Sequence, residues 1–333
     1  GIQALRDGHT HYTPAVGMFA LRERIAAFYR ERYGVTLDPQ RVVITPGASA
    51  ALQLVMAVLV NAGDEVLMAD PGYPCNRNFV YLLGGIPVGI PVGAASVYQP
   101  TAKQVGDYWS DATKALLVAS PSNPTGTLLS EQTLRDYHAI TGAQDGSLIV
   151  DEIYHGLVYD GQAVTALAVS EDIFVINSFS KYFGMTGWRL GWLVAPNAHV
   201  SAIDKLAQNL FLAAPTMAQH AALRAFDEDS IGILEVRRRE FQQRRDFLLP
   251  ALREIGFDIP VIPDGAFYLY ANCSRFSTDS YSFSSRLLEE AGVAITPGID
   301  FGINKPETHV RFAYTTSMEN LREGVQRLRA YLA

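Results

Sequence analysis

Between Arg41 and Ala195, short apolar and β-branched runs alternate with turn residues and with stretches whose apolar positions recur every three or four residues. That alternation predicts strands and helices in turn, and hence an α/β sheet. Arg41–Thr45, Glu65–Ala69, Lys114–Ala119, Ser147–Asp151, Ile173–Asn177 and Arg189–Val194 read as strands. Several lack the inside–outside alternation of a half-exposed sheet. The sheet is therefore expected to be central, mostly parallel and covered by helices on both faces. Ala48–Asn61, Glu131–Ile140 and Asn197–Leu212 carry apolar residues at helical spacing, and Ser130 stands at an N-cap position. His9 and His11 are expected to precede the first helix.

From about Ile231 the pattern changes. Glu235–Arg245 reads as a long charged helix with a sparse apolar stripe, expected to bridge two units, with Arg237–Arg239 on a solvated face. Beyond it, Phe267–Asn272 and His309–Tyr314 read as strands, and Tyr281–Ala291 and Met318–Leu332 as helices. The chain thus divides into a large domain, residues 1–228, and a smaller C-terminal α+β domain, residues 229–333. A length of 333 residues suits two domains of ~150 residues each.

Composition narrows the partners. The balance of 27 basic against 34 acidic side chains gives a net charge of −7, which argues against nucleic acid and for a small molecule. The strongest apolar stretch, Ala50–Val60, is interrupted by Gln53 and falls short of the ~18 residues of a membrane span. Cys75 and Cys273 are too few for a disulfide framework or a thiolate metal cage, which points to a reducing cytoplasm. The seven histidines show no metal-ligand spacing and are assigned surface or packing roles.

Ligands of α/β sheets gather beyond the carboxyl ends of strands, so the polar residues there carry the candidate chemistry. Gly47, Ala48 and Ser49 open a helix, where free N–H groups and the macrodipole suit a phosphate, although such a turn is also an ordinary cap. Lys181 is one of five lysines and the only charged residue between Ile173 and Trp188, a setting that favours a neutral, Schiff-base-forming amine, although taken by itself a surface-loop lysine is the commoner reading. Asp151 ends an apolar strand and needs a cation or several donors, or else caps its turn. Tyr154 follows three residues later. Arg189 is an anion clamp or a core-edge arginine paired with a carboxylate. Arg311, between Val310 and Phe312, sits on an apolar strand and requires an anion. Phosphate donors, an imine-forming lysine and a carboxylate for a ring nitrogen together are what pyridoxal 5′-phosphate demands.

These motifs carry a family resemblance. The run Ser178-Phe-Ser-Lys181-Tyr-Phe-Gly-Met-Thr-Gly-Trp-Arg189-Leu-Gly, with Ser-Asn123-Pro-Thr-Gly, Asp151-Glu-Ile-Tyr154 and the late Arg311, resembles the class I and II aminotransferases of fold type I along the whole chain. The resemblance implies that Lys181 holds the cofactor and then shuttles a proton, and that Asp151 meets the pyridine nitrogen. It places Asn123 and Tyr154 on the ring's 3′ oxygen, and Ser178, Arg189 and the N–H groups of Ala48 and Ser49 on the phosphate. Tyr73 would stack on the ring, and Arg311 would take the substrate α-carboxylate. Tyr12, in Thr10-His11-Tyr12, would reach the phosphate of a neighbouring subunit, implying a homodimer with shared sites.

The implied reaction moves an amino group from an L-amino acid to a 2-oxo acid such as 2-oxoglutarate. The same constellation serves carbon–sulfur β-lyases, and a non-catalytic amino-acid-sensing domain could keep the fold. Two departures stand out. The sequence opens at Gly1, so the family's N-terminal arm, expected before Thr10, either lies ahead of this sequence or is lacking. No basic residue is evident for a distal substrate carboxylate, which leans toward neutral or aromatic donors.

Overall fold

The computed structural model describes residues 1–333. Its strands are β1 (Val42–Thr45), β2 (Glu65–Asp70), β3 (Ile86–Pro91), β4 (Thr113–Ala119), β5 (Ser147–Asp151), β6 (Phe174–Ser178), β7 (Gly191–Val194), β8 (Tyr268–Asn272), β9 (Thr296–Pro297) and β10 (His309–Ala313). The helices are α1 (Ile2–Arg6), α2 (Phe19–Tyr33), α3 (Ala48–Leu59), α4 (Pro74–Leu82), α5 (Ala102–Tyr108), α6 (Glu131–Ala143), α7 (Asn197–Leu210), α8 (Thr216–Ala225), α9 (Glu228–Ile255), α10 (Ser280–Ala291) and α11 (Met318–Leu332).

A seven-stranded sheet runs in the order β1-β7-β6-β5-β4-β2-β3, and only β7 is antiparallel to its neighbours. Except in edge strand β3, alternate residues of the strands enter two different cores, as the pleat requires. Leu116, Val118, Leu148 and Val150 pack with α2, α6 and α8 on one face. Ala115, Leu117, Ile149 and Ile176 pack with α3 and α7 on the other. Both faces are thus buried, which is why the strands read as continuous apolar runs. A three-stranded sheet, β8-β10-β9, forms with α10, α11 and the C-terminal half of α9 a third core around Leu252, Leu269, Phe283 and Val310. No helix is long and apolar enough to cross a membrane.

Some expectations shift. The segment Arg189–Val194 is strand only from Gly191; Arg189 itself lies in the left-handed region at φ 52°. The helix expected over Asn197–Leu212 ends at Leu210. His9 and His11 follow a first helix, α1, rather than precede it. Arg237 and Arg239 are solvated, but Arg238 is half-buried, bonding the Val158 carbonyl at 3.1 Å and Glu235 at 2.7 Å. Edge strand β3 escapes the sequence pattern because Pro87 and Pro91 interrupt it, residues that only an edge tolerates.

Candidate active site

The carboxyl ends of β4, β5 and β6 open onto a cavity of about 310 Å³. Ala48, Ser49, Tyr73, Asn123, Asp151, Tyr154, Ser178, Lys181, Arg189 and Arg311 all line it. Gly47 caps the adjoining helix from just outside the wall. Tyr12 does not line the cavity either and is 81% exposed.

One wall is built for an anion. The N-terminus of α3 has no side-chain cap, so its first backbone N–H groups are free. Gly47, at φ 82°, admits the Arg189 guanidinium where a Cβ would lie 2.6 Å from it. Arg189 adopts its left-handed conformation at the end of the turn Thr186–Trp188, where Nη1 donates to the Thr186 carbonyl at 3.1 Å. A non-glycine residue in this region costs about 1–2 kcal/mol, strain of the kind that collects at ligand sites. Gly191 lets β7 approach α3: a Cβ there would meet Ala48 N at 2.8 Å and Asn177 O at 2.9 Å. Ser178 Oγ donates to Leu190 O at 3.2 Å and accepts from Ser180 N at 3.0 Å, so it also shapes the turn leading to Lys181.

Asp151 is the one carboxylate in the lining. Asp151 is buried and accepts one hydrogen bond from Ile153 N at 3.1 Å, so it does cap its turn while its second oxygen stays free. Burial raises its carboxyl to about 6, with the Ile153 N–H and the Lys181 charge opposing. Lys181 Nζ lies 5.6 Å and 5.7 Å from the ring centroids of Tyr154 and Phe267. Desolvation lowers its pKa; Asp151 pulls the other way, and the cations Arg311 and Arg189 add to the lowering. Lys181 is half-buried in the cavity wall.

Arg311 comes from β10 of the small unit. It donates to Asn123 Oδ1 at 2.9 Å and Thr296 Oγ1 at 3.2 Å, while its buried Nε has no partner. The guanidinium lies 4.2 Å from the Tyr268 ring centroid and 4.8 Å from that of Phe301. No carboxylate pairs with it, so it presents an uncompensated cation to the cavity.

Ser180, Thr186 and Ile153 also line the site; they lie within the motifs read from the sequence but were given no role there, whereas Tyr268 lies outside every such motif. For Tyr268 the only signal was an aromatic residue on a strand, a pattern the core shares.

A sequence model described as aminotransferase class I and II matches residues 3–328. The chain belongs to the class I and II aminotransferases. This aminotransferase is 41% identical over 331 residues to the valine–pyruvate aminotransferase of Mycobacterium tuberculosis, covering 99% of this chain and 85% of that protein. It is 37% identical to the (5-formylfuran-3-yl)methyl phosphate transaminase of Methanocaldococcus jannaschii, covering 100% of this chain and 86% of the relative. A crystal structure of an aminotransferase from Mycobacterium tuberculosis superposes with a TM-score of 0.96 at 41% identity, over 99% of this chain and 86% of that one. Aspartate aminotransferase from Thermus thermophilus with maleate gives 0.94 at 33% identity, over 99% and 86%. The family and its relatives establish amino-group transfer as the activity, and pyridoxal phosphate is the cofactor such enzymes use.

The residues present fit that cofactor. A dianionic phosphate suits the uncapped α3 N-terminus and Arg189, and a cationic ring nitrogen suits the free oxygen of buried Asp151.

Proposed function

We propose that this aminotransferase holds pyridoxal 5′-phosphate on Lys181 and takes its amino group from a neutral L-amino acid, passing it to a 2-oxo acid. The observation that carries the reading is the convergence of a desolvated amine, a buried carboxylate, an anion cradle and an unpaired arginine in one cavity. When bound, the cofactor supplies an aldehyde for amines and an electron-withdrawing ring.

The chain's own residues do the rest. Ala48, Ser49, Ser178 and Arg189 would hold the phosphate, and Tyr73 would cover the ring. The Asp151 carboxylate keeps the proton on the ring nitrogen, whose positive charge in turn favours the ionised acid. Asn123 directs its Oδ1 at Arg311, which leaves its amide N–H to donate, with the Tyr154 phenol, to the ring's 3′ oxygen. Arg311 aligns the substrate α-carboxylate so that the Cα–H bond faces Lys181. The Lys181 amine would serve as the acid–base group that moves the proton between the substrate Cα and the cofactor's C4′.

Specificity follows from charge. The cavity's cations are Lys181, Arg189 and Arg311, and each already has an anion or a covalent task. A distal carboxylate finds no cation from this chain, which favours neutral donors and a monocarboxylic acceptor over 2-oxoglutarate. Similarity to a valine–pyruvate aminotransferase supports the same choice. The exposure of Tyr12 supports a homodimer in which it completes the partner's phosphate site. The two free cysteines support a cytoplasmic setting. Residues 1–228 form the cofactor-bearing unit and 229–333 the smaller unit that delivers Arg311.

A half-reaction screen tests the reading. Valine or phenylalanine should convert the cofactor-loaded protein to its amine form faster than aspartate does, and pyruvate should reverse the change better than 2-oxoglutarate. Lys181→Ala should abolish both the loaded protein's absorbance and turnover. Release of pyruvate and thiol from a cysteine conjugate would mark a β-lyase, and binding without conversion would mark a sensing domain; either result overturns the proposal.

A further inference from the structure

Tyr268, on β8, touches both halves of the site. Its hydroxyl lies 2.9 Å from that of Tyr154, and its ring lies face-on beneath Arg311, 4.2 Å from the guanidinium carbon. It is 5% exposed, and its hydroxyl has the Tyr154 oxygen as its hydrogen-bond partner. A hydroxyl pair has one donor. If Tyr154 is to spend its proton on a group in the cavity, Tyr268 must be the donor between them, and that donation polarises the Tyr154 O–H and strengthens it.

We infer that Tyr268 is a positioning residue that couples the arginine receiving the substrate carboxylate to the phenol facing the cofactor's ring oxygen. The inference rests on the reading above and deepens it. Tyr268 arrives from the small unit and Tyr154 from the large one, so the hydroxyl pair also joins the two units at the reacting centre. The charged and titratable groups around the pair are Asp151, Lys181 and the Tyr73 phenol from the large unit and Arg311 from the small one. Burial raises both phenols, Tyr154 the further of the two, so at working pH both hydroxyls keep their protons and the donor chain is intact.

Two variants separate the two contacts. Tyr268→Phe keeps the ring beneath Arg311 and removes only the hydroxyl. It is expected to lower kcat about 3- to 10-fold with KM for amino acids unchanged, the loss of one hydrogen bond. With Tyr154 a weaker donor, the ring oxygen's anion is less favoured. The visible-absorbance titration of the cofactor-loaded protein should then move upward by about half a pH unit. Tyr268→Leu removes the ring as well, and should in addition raise KM about 5- to 10-fold for every amino acid tested. A merely structural role would move melting temperature and leave the titration in place. If wild type loads and turns over while Tyr268→Phe titrates at the wild-type pH, the coupling is overturned and the functional reading survives. If wild type shows no cofactor absorbance, the reading beneath it fails instead.

Discussion

Arg311 is held by geometry that only a planar, forked cation satisfies: two nitrogens bonded to different elements, one left free, and aromatic rings of Tyr268 and Phe301 against it. Lysine would keep the charge and lose both the fork and the stacking. Arg311→Lys is expected to raise KM about 10- to 100-fold for all amino donors alike, with a smaller change in kcat, as steady-state kinetics over several donors will show. An effect confined to one donor would make Arg311 a reader of side chains. At this scale the sequence was informative where a residue was chemically out of place. Lys181 stood alone in an uncharged run and Arg311 between apolar neighbours, and both line the cavity. Tyr268 and Thr296 were invisible because a phenol or hydroxyl on a strand is commonplace, and their partners are distant in sequence.

The loop that leaves β5 shows how an element aims its site residue. Asp151 faces the cavity, whereas Glu152 turns away into the protein, fully buried, accepting from Ala166 N at 2.7 Å and from the Thr165 hydroxyl at 2.9 Å. His155 Nδ1 lies 3.2 Å from Oε2, the oxygen that also accepts the Thr165 bond at 2.9 Å. Burial raises Glu152 to about 8, its two donors and the Asp151 charge being lesser influences, and burial also depresses His155 to about 3. The pair is therefore an acid and a neutral imidazole at pH 7. Because the folded protein binds the Glu152 proton more tightly than the unfolded chain, stability falls as pH rises from about 4.5 toward 8. His155 works in the opposite sense only below about 6.5, where the unfolded imidazole is charged. Between pH 6.5 and 8 the Glu152 effect thus stands alone, worth about 2 kcal/mol. Glu152→Gln keeps the acceptor and should flatten urea-unfolding stability across that interval; an unchanged slope would assign the loss to another group. Elements buried on both faces were legible because their apolar runs are uninterrupted. Edge strand β3 and the charge-rich α2 were not, because prolines and arginines mask buried positions such as Ile90, Leu21 and Ile25.

The two units meet in a contact that no local pattern announces, since its partners stand 233 residues apart. Buried Asp70, closing β2, accepts from Ile303 N at 3.0 Å and Asn304 N at 3.4 Å. Asn304 Nδ2 answers with bonds to Asp70 O at 3.2 Å and Val92 O at 3.1 Å. Gly72 N adds a bond to Phe301 O at 2.8 Å. Gly302 is required between them, because a Cβ there would lie 1.6 Å from Asp70 Oδ1. The clasp fixes the segment that presents Phe301 to Arg311, so it sets the placement of the small unit's arginine over the large unit's cavity. Asp70→Ala strands two backbone donors and should cost about 2–3 kcal/mol in denaturant unfolding, with KM for amino acids rising as Phe301 loosens. Gly302→Ala breaks the same contact from the other side. Because both substitutions destroy one interaction, the double variant should lose little more stability than the worse single one. Additive losses would mean that Asp70 and Gly302 stabilise the protein separately and that the placement of Arg311 depends on the β8–β10 sheet alone.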